Sequence, residues 1–132
     1  MENNDILVDT NILIDFFRKK NKQKTILKPL LPDYNFYLSV ITIFEFDCGV
    51  TDQQFRDEFK TLIEPFTILD FDLECSYVAS KIYKDLKRIN KMIEMKDMFI
   101  AATALENNLK LLTLNNKHFE NISEIILFSK IK

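Results

Sequence analysis

The stretch that decides the fold is Asp5-Ile6-Leu7-Val8-Asp9-Thr10-Asn11, at residues 5–11. Its short apolar run predicts a fully buried β-strand. Thr10 and Asn11 have side chains that are typical of helix N-termini, so a helix is expected to begin directly after the strand. Asp9 is therefore predicted at the carboxyl end of a buried strand, the edge of an open α/β sheet at which ligands bind. Such an aspartate, taken alone, most often only caps the following helix.

The composition is that of a soluble globular protein with one domain over residues 1–132. The formal net charge is −2, and 47% of the residues are hydrophobic. The single glycine excludes both glycine-rich nucleotide-binding motifs. Cys48 and Cys75 are too far apart in sequence for a close-spaced metal pair and predict reduced, buried thiols in a cytoplasmic protein. The polar N-terminus is not a signal peptide, and no apolar run approaches the roughly 20 residues of a membrane helix.

The rest of the chain alternates short strands with helices. Strands are predicted at 6–8, 36–38, 66–69, 109–112 and 125–128. Helices are predicted at 11–19 and 40–48, over two amphipathic segments within 52–64 and 73–89, and at 95–106, which is apolar nearly all round. This alternation predicts an α/β fold, with a central parallel sheet of about five strands covered by helices on both faces and right-handed crossovers.

Three acidic residues occupy positions at which a carboxylate is costly. Asp9 ends a buried strand, Glu45 interrupts an apolar helix, and Asp97 begins a buried one. A buried carboxylate is normally paired, protonated or bound to a metal. Asn115 follows the fourth strand, so it shares an edge with Asp9 if strands one and four are neighbours. A carboxylate cluster of this kind suits Mg²⁺ or Mn²⁺.

Four segments in order resemble the motifs of PIN-domain nucleases. They are Asp9-Thr10-Asn11 after a strand, Ser39-x-x-Thr42-x-x-Glu45, Ile93-x-x-x-Asp97-x-x-Ile100-Ala101-Ala102-x-Ala104, and Thr113-x-Asn115-x-x-His118-Phe119. Each segment alone is a weak signal, but the ordered set spans nearly the whole chain. The length and single-domain form of the chain are similar to those of the VapC-type toxins of bacterial toxin–antitoxin pairs.

The resemblance implies a three-layer PIN-like fold and metal-dependent hydrolysis of RNA phosphodiester bonds. It implies catalytic roles for Asp9, Glu45, Asp97 and Asn115, with the metal on Asp9 and Asp97 and with Glu45 and Asn115 assisting, the latter through water. Asn115 stands where the family often has a fourth acidic residue, so it adds no negative charge. Supporting roles fall to Thr10, Asn11 and Thr113. The implied partners are an RNA substrate, a cognate antitoxin and a second copy of the chain.

Two other functions remain open at this point. One is a degenerate PIN fold that binds RNA or protein without cutting, which the neutral Asn115 favours. The other is a phosphatase with an aspartyl nucleophile, which a strand followed by Asp-x-Asn faintly resembles. His118, the only histidine, is interpreted as a structural residue near Asn115. Two basic groups are candidate RNA contacts: Arg18, Lys19, Lys20, Lys22 and Lys24 in one, and Lys81, Lys84, Arg88 and Lys91 in the other.

Overall fold

The structure is a computed structural model and describes residues 4–129. Strands and helices alternate for most of its length. The strands are β1 Asp5–Val8, β2 Asn35–Ser39, β3 Thr67–Leu69 and β4 Lys110–Leu112. The helices are α1 Thr10–Arg18, α2 Val40–Cys48, α3 Gln53–Leu62, α4 Leu73–Arg88, α5 Met95–Glu106 and α6 Asn116–Phe119. Two short 3₁₀ turns, Lys22–Lys24 and Lys28–Leu30, connect α1 to β2.

The four strands form one parallel sheet in the order β3-β2-β1-β4. Strand β1 is therefore an interior strand, between β2 and β4. This arrangement confirms the predicted parallel α/β fold. It also makes strands one and four neighbours, the condition under which Asp9 and Asn115 share an edge.

The predicted fifth strand at 125–128 is reduced to a single bridge between Leu111 and Leu127. The Leu111 N–H donates to the Ile126 carbonyl at 2.9 Å, and the Phe128 N–H donates to the Leu111 carbonyl at 2.8 Å. Because Leu111 is the one residue of β4 in this bridge, the segment runs parallel to β4 at that point but does not form a fifth strand. The sheet thus has four strands in residues 4–129 where about five were predicted.

Each face of the sheet has its own hydrophobic core. The side chain of Leu7 belongs to a cluster that includes residues of α4 and α5, whereas Ile6 and Val8 belong to a second cluster with residues of α1 and α3. This division follows from the alternation of side chains along a strand. Both clusters bury residues at or near zero exposure, so the sheet is a rigid platform for the groups at its carboxyl edge.

Helix α5 supports this platform from one side. Its residues Ile100, Ala101, Ala102 and Ala104 are all fully buried, which confirms the buried helix predicted from the apolar pattern of 95–106. The small alanine side chains let α5 pack closely against its neighbours, and its most extensive contacts are with α4. In the described part of the chain, no helix combines the length and the apolar character needed to cross a membrane.

Candidate active site

The site lies where β1 and β4 end side by side. Asp9 follows β1 directly, and its backbone N–H donates to the Leu112 carbonyl at 2.9 Å, so the pairing of the two strands continues to the edge of the sheet. Thr113 follows β4 in the same way. Helix α1 begins at Thr10 with Asp9 as its N-cap. The turn from β1 into α1 therefore fixes the backbone of Asp9 on both sides.

The carboxylate of Asp9 is almost fully buried, with 5% of the residue exposed. Its Oδ1 accepts a hydrogen bond from the Thr10 backbone N–H at 2.8 Å, and its Oδ2 accepts one from the Thr113 hydroxyl at 2.7 Å. Burial raises the pKa of Asp9 above its ordinary value, although both hydrogen bonds oppose that shift. The nearby charges of Asp97 and Glu45 raise this pKa further. Asp9 is thus a helix cap, but one whose charge is destabilised by its surroundings.

Asn11 connects the two loops that follow β1 and β4. Its amide nitrogen lies 3.5 Å from the Thr113 hydroxyl, and its Oδ1 accepts from the Leu114 backbone N–H at 3.2 Å. The Thr113 hydroxyl also accepts from the Asn115 backbone N–H at 3.0 Å. Asn11 therefore acts on Asp9 through Thr113, which it holds in place.

Glu45 reaches the site from α2. Its Oε1 accepts a hydrogen bond from the Thr10 hydroxyl at 2.6 Å. The Thr10 hydroxyl also lies 3.1 Å from that of Thr42, which is fully buried one helical turn before Glu45. The other oxygen, Oε2, accepts from the Lys96 ammonium at 2.5 Å. The hydrogen bond to Glu45 raises the pKa of Lys96, so this lysine stays protonated.

Asp97 lies in the first turn of α5 and is 6% exposed. Its Oδ2 is 3.0 Å from Nδ1 of His118. Burial raises the pKa of Asp97, and the hydrogen bond and charge of His118 partly offset that rise, with a smaller opposing contribution from Lys96. The sequence-based placement of His118 near Asn115 was incomplete: its backbone N–H does bond the Asn115 carbonyl, but its ring contacts Asp97.

The candidate residues share one cavity of about 160 Å³. Asp9, Glu45, Asp97 and Asn115 all line it. Glu94, which ends the loop before α5, lines it too. Thr113 is not among the lining residues, in keeping with a position behind Asp9. The structure thus brings together every acidic residue selected from the sequence, and it places the exposed Asn115 at the same cavity.

The chemistry of the donors fits a hard divalent cation. Carboxylate oxygens are the ligands that Mg²⁺ and Mn²⁺ prefer, and the two buried carboxyls both have raised pKa values, which a cation between them would reverse. Within residues 4–129, no three acidic, histidine or cysteine side chains are grouped closely enough to hold one ion. Both oxygens of Glu45 are already engaged by Thr10 and Lys96. Asp9 and Asp97 also accept hydrogen bonds, but neither forms an ion pair with a lysine or arginine of residues 4–129. Of the three acidic residues predicted for the site, these two therefore keep a charge that is available to a cation.

The sequence interpretation missed two groups at this site. The role of Lys96 could not be predicted, because its partner Glu45 lies 51 positions away in sequence. The ring of His118 was not linked to Asp97, because the two residues are 21 positions apart in sequence and meet only through the packing of α5 and α6. The motif Thr113-x-Asn115-x-x-His118 could have indicated that His118 is part of the site. His118 is three residues after Asn115, and residues three apart on a helix lie on the same side.

Other charged residues are engaged away from the site. Asp15 pairs with Lys19 at 2.8 Å, and Asp47 pairs with Arg56 at 2.8 Å, so both acids have partners outside the cavity. Lys22 of the first basic group donates to carbonyls at the end of α1. In the second basic group, Lys81 and Arg88 both pair with Asp85. Lys22, Lys81 and Arg88 thus have partners within the protein, and these contacts do not depend on RNA.

A family model decides what kind of domain carries this cavity. The model described as the PIN domain matches residues 6–125. The chain belongs to the PIN domain family. The match extends from the second residue of β1 through α6 and contains every residue that lines the cavity, so the cavity at the carboxyl edge is a feature of a PIN domain.

Curated relatives of this PIN domain carry the name of ribonucleases. It is 35% identical over 123 residues to Ribonuclease VapC1 of Methanocaldococcus jannaschii, covering 93% of this chain and 85% of that protein. It is also 35% identical over 128 residues to Ribonuclease VapC of Rickettsia bellii, covering 91% and 92% of the two chains.

Solved structures agree in fold. The PIN domain superposes on a chain of VapBC-1 from nontypeable Haemophilus influenzae with a TM-score of 0.79 and 26% identity, covering 95% of this chain and 97% of that one. DNA-bound VapBC from Salmonella typhimurium gives a TM-score of 0.83 at 24% identity, with 97% and 98% covered. The second likeness concerns the fold alone, since the identity is low.

Proposed function

We propose that this PIN domain is a metal-dependent endoribonuclease that hydrolyses RNA phosphodiester bonds. The observation that carries the proposal is the convergence of Asp9 and Asp97, two buried carboxylates from different elements, on one cavity that Glu45 also lines. A folded protein tolerates such a pair when its function requires a bound cation. Relatives named Ribonuclease VapC support RNA as the substrate class.

Asp9 and Asp97 would hold Mg²⁺ or Mn²⁺, with Glu45 and Asn115 assisting, Asn115 through water. When bound, such an ion neutralises a phosphate, lowers the pKa of a bound water and stabilises the leaving oxygen. The chain's own residues prepare the site for it. Thr113 and the Thr10 backbone orient the two oxygens of Asp9, and His118 orients Asp97. Asn115 is neutral, so it adds no negative charge to those of Asp9, Glu45 and Asp97.

The same proposal extends to the biological setting. A solved structure of the same fold, a toxin–antitoxin complex from Klebsiella pneumoniae, supports a toxin that a cognate antitoxin neutralises. We further propose that residues 1–132 act as a single domain, that the chain forms a homodimer, and that it acts in the cytoplasm. The two free cysteines, Cys48 and Cys75, are consistent with a reducing compartment. Cys75 is buried as predicted, whereas Cys48 is exposed, so the predicted burial is wrong for Cys48.

The test is RNA cleavage by the purified chain with Mg²⁺ or Mn²⁺. We expect Asp9→Asn and Asp97→Asn each to lower the cleavage rate by at least about 100-fold, because each removes a ligand charge while keeping the side-chain shape. Asp47→Asn is the matched control: it lies on α2 in an exposed pair with Arg56 and should leave cleavage unchanged. Cleavage that survives both site variants and excess chelator would overturn the mechanism.

One alternative retains support, a PIN fold that binds RNA or a protein without cutting. Asn115 favours it, because a neutral side chain stands at the cavity where an acidic one would strengthen the metal site. RNA binding without metal-dependent turnover under the same conditions would favour this alternative.

A further inference from the structure

Within residues 4–129, Lys96 is the one lysine or arginine that lines the active-site cavity. The acidic residues around it are Asp9, Glu45, Glu94 and Asp97. Lys96 lies in the first turn of α5, where the helix dipole disfavours a cation. Its position therefore depends on the carboxylates that face it.

The contact between Lys96 and Glu45 takes up a carboxylate oxygen at the site. Glu45 Oε1 accepts from Thr10 at 2.6 Å, and Oε2 accepts from Lys96 at 2.5 Å. The Lys96 side chain is 44% exposed, whereas that of Glu45 is 22% exposed. Lys96 thus covers Glu45 from the solvent side, and its flexible stem can withdraw into water.

A divalent cation and this ammonium need the same oxygen. An ion held by Asp9 and Asp97 would gain Glu45 as a further ligand, directly or through water, only if Glu45 turned one oxygen toward it. Oε1 already has a donor from the neighbour of Asp9, so Oε2 is the oxygen to be exchanged. That exchange breaks the ion pair with Lys96.

We propose that Lys96 is a built-in counter-ion of the metal site, which competes with the divalent cation for Glu45 and so weakens metal binding. This inference rests on the metal site of the proposed function. It makes Lys96 a positioning residue, because it acts through Glu45. In the chain without metal, Lys96 neutralises Glu45, one of the four carboxylates that line the cavity.

The experiment is a calorimetric titration of the full-length chain with Mn²⁺, in which no RNA is present. Lys96→Gln should bind Mn²⁺ roughly threefold to tenfold more tightly than the wild type, because the ion pair that occupies Glu45 Oε2 is removed. Lys117→Gln is the matched control, since Lys117 is an exposed lysine on α6 that does not line the cavity. It should leave the Mn²⁺ affinity unchanged.

A double-mutant cycle separates competition for Glu45 from general charge repulsion. If Lys96 acts through Glu45, Lys96→Gln gives no tightening in the Glu45→Gln background. A tightening of equal size in both backgrounds, or none in the wild-type background, would overturn the inference. Lys96→Met, which retains the length of the stem, should reproduce Lys96→Gln, and melting curves verify that each variant is folded.

The outcomes also separate this inference from the proposed function. Mn²⁺ binding that Asp9→Asn abolishes but Lys96→Gln does not alter would leave the metal site standing and refute the competition. An absence of Mn²⁺ binding in every variant would refute both. RNA cleavage does not enter either result.

Discussion

The hydroxyl of Thr113 donates a hydrogen bond of 2.7 Å to Oδ2 of Asp9, across 104 positions of sequence. The bond joins the end of β4 to the end of β1. It also satisfies an oxygen that has little access to water, since Asp9 is 5% exposed. No buried side-chain polar atom in residues 4–129 lacks a hydrogen-bond partner. Removal of the Thr113 hydroxyl would leave Oδ2 of Asp9 without its hydrogen-bond donor.

Thr113→Val is therefore expected to destabilise the protein. The substitution keeps the side-chain shape but leaves Asp9 Oδ2 without its donor, which should cost about 1–3 kcal/mol of unfolding free energy at neutral pH. Urea denaturation measures the loss. Thr51→Val, at an exposed position between α2 and α3, should change stability by less than about 0.5 kcal/mol. Equal stability of wild type and Thr113→Val would show that the bond does not stabilise the fold.

The raised pKa of Asp9 predicts how stability without metal depends on pH. A carboxyl whose pKa is higher in the folded state binds its proton more tightly there. The ionised carboxylate therefore destabilises the folded state. This free-energy penalty is absent below the pKa of an aspartate in the unfolded chain, about 3.9, and it grows as the pH rises through the pKa of Asp9 in the folded state. In chelator, Asp9→Asn should thus be more stable than the wild type at neutral pH, by about 1 kcal/mol, and this advantage should shrink toward pH of about 4.

Melting temperatures of both proteins across that pH range provide the measurement. Asp47→Asn, at the exposed pair with Arg56, should follow the wild-type profile. A wild-type protein that is more stable than Asp9→Asn at neutral pH in chelator would contradict the assignment of Asp9 as a destabilised charge.

Much of this site could be predicted because its signals are local. Asp9 stands out because a buried strand meets a helix start within residues 5–11, and both elements form there. Helix α5 spans Met95–Glu106 as predicted, since an apolar run with a turn at Asn107-Asn108 leaves few alternatives. The proximity of Asp9 and Asn115 also followed from parallel strands, once β1 and β4 were neighbours.

The parts that could not be predicted depend on side chains from distant elements. The Lys96–Glu45 pair exists because α2 and α5 approach one another at the sheet edge, and no periodic pattern encodes which charges then meet. The His118–Asp97 contact has the same origin. The segment 125–128 has strand composition, but its pairing with β4 is limited to the bridge between Leu111 and Leu127.

Lys22 is expected to stabilise helix α1. Its ammonium donates to the carbonyls of Phe16, Phe17 and Lys19 at 2.6, 2.9 and 2.8 Å, groups that have no partner within the last turn of a helix. Lys22→Met should lower the unfolding free energy by about 1 kcal/mol. The control Lys20→Met changes an exposed neighbour and should be nearly neutral. Matching urea midpoints for the two variants would refute this capping role.

The aromatic cluster beside α1 predicts unequal effects for two phenylalanines of α3. Phe59 is 4% exposed, and its ring stacks on Phe46 with the centroids 4.0 Å apart. Phe59→Ala should cost about 3–5 kcal/mol because it leaves a cavity in the core. Phe55→Ala should lower the unfolding free energy by less than about 1.5 kcal/mol, because Phe55 is 46% exposed. Urea denaturation of both variants tests this order, and the reverse order would show that Phe59 does not belong to the core.

Asn115 predicts a gain of function in metal binding. It lines the cavity beside Asp9 and Asp97 but contributes no charge. Asn115→Asp adds a carboxylate at that point, so Mn²⁺ affinity should increase by roughly threefold to tenfold, and cleavage should need less metal. Asn116→Asp is the matched control: it adds the same charge one residue later, at the first position of α6, where it does not line the cavity. If both variants tighten Mn²⁺ binding equally, the effect is one of general charge and Asn115 does not face the metal; tightening by Asn115→Asp alone would assign it to the site.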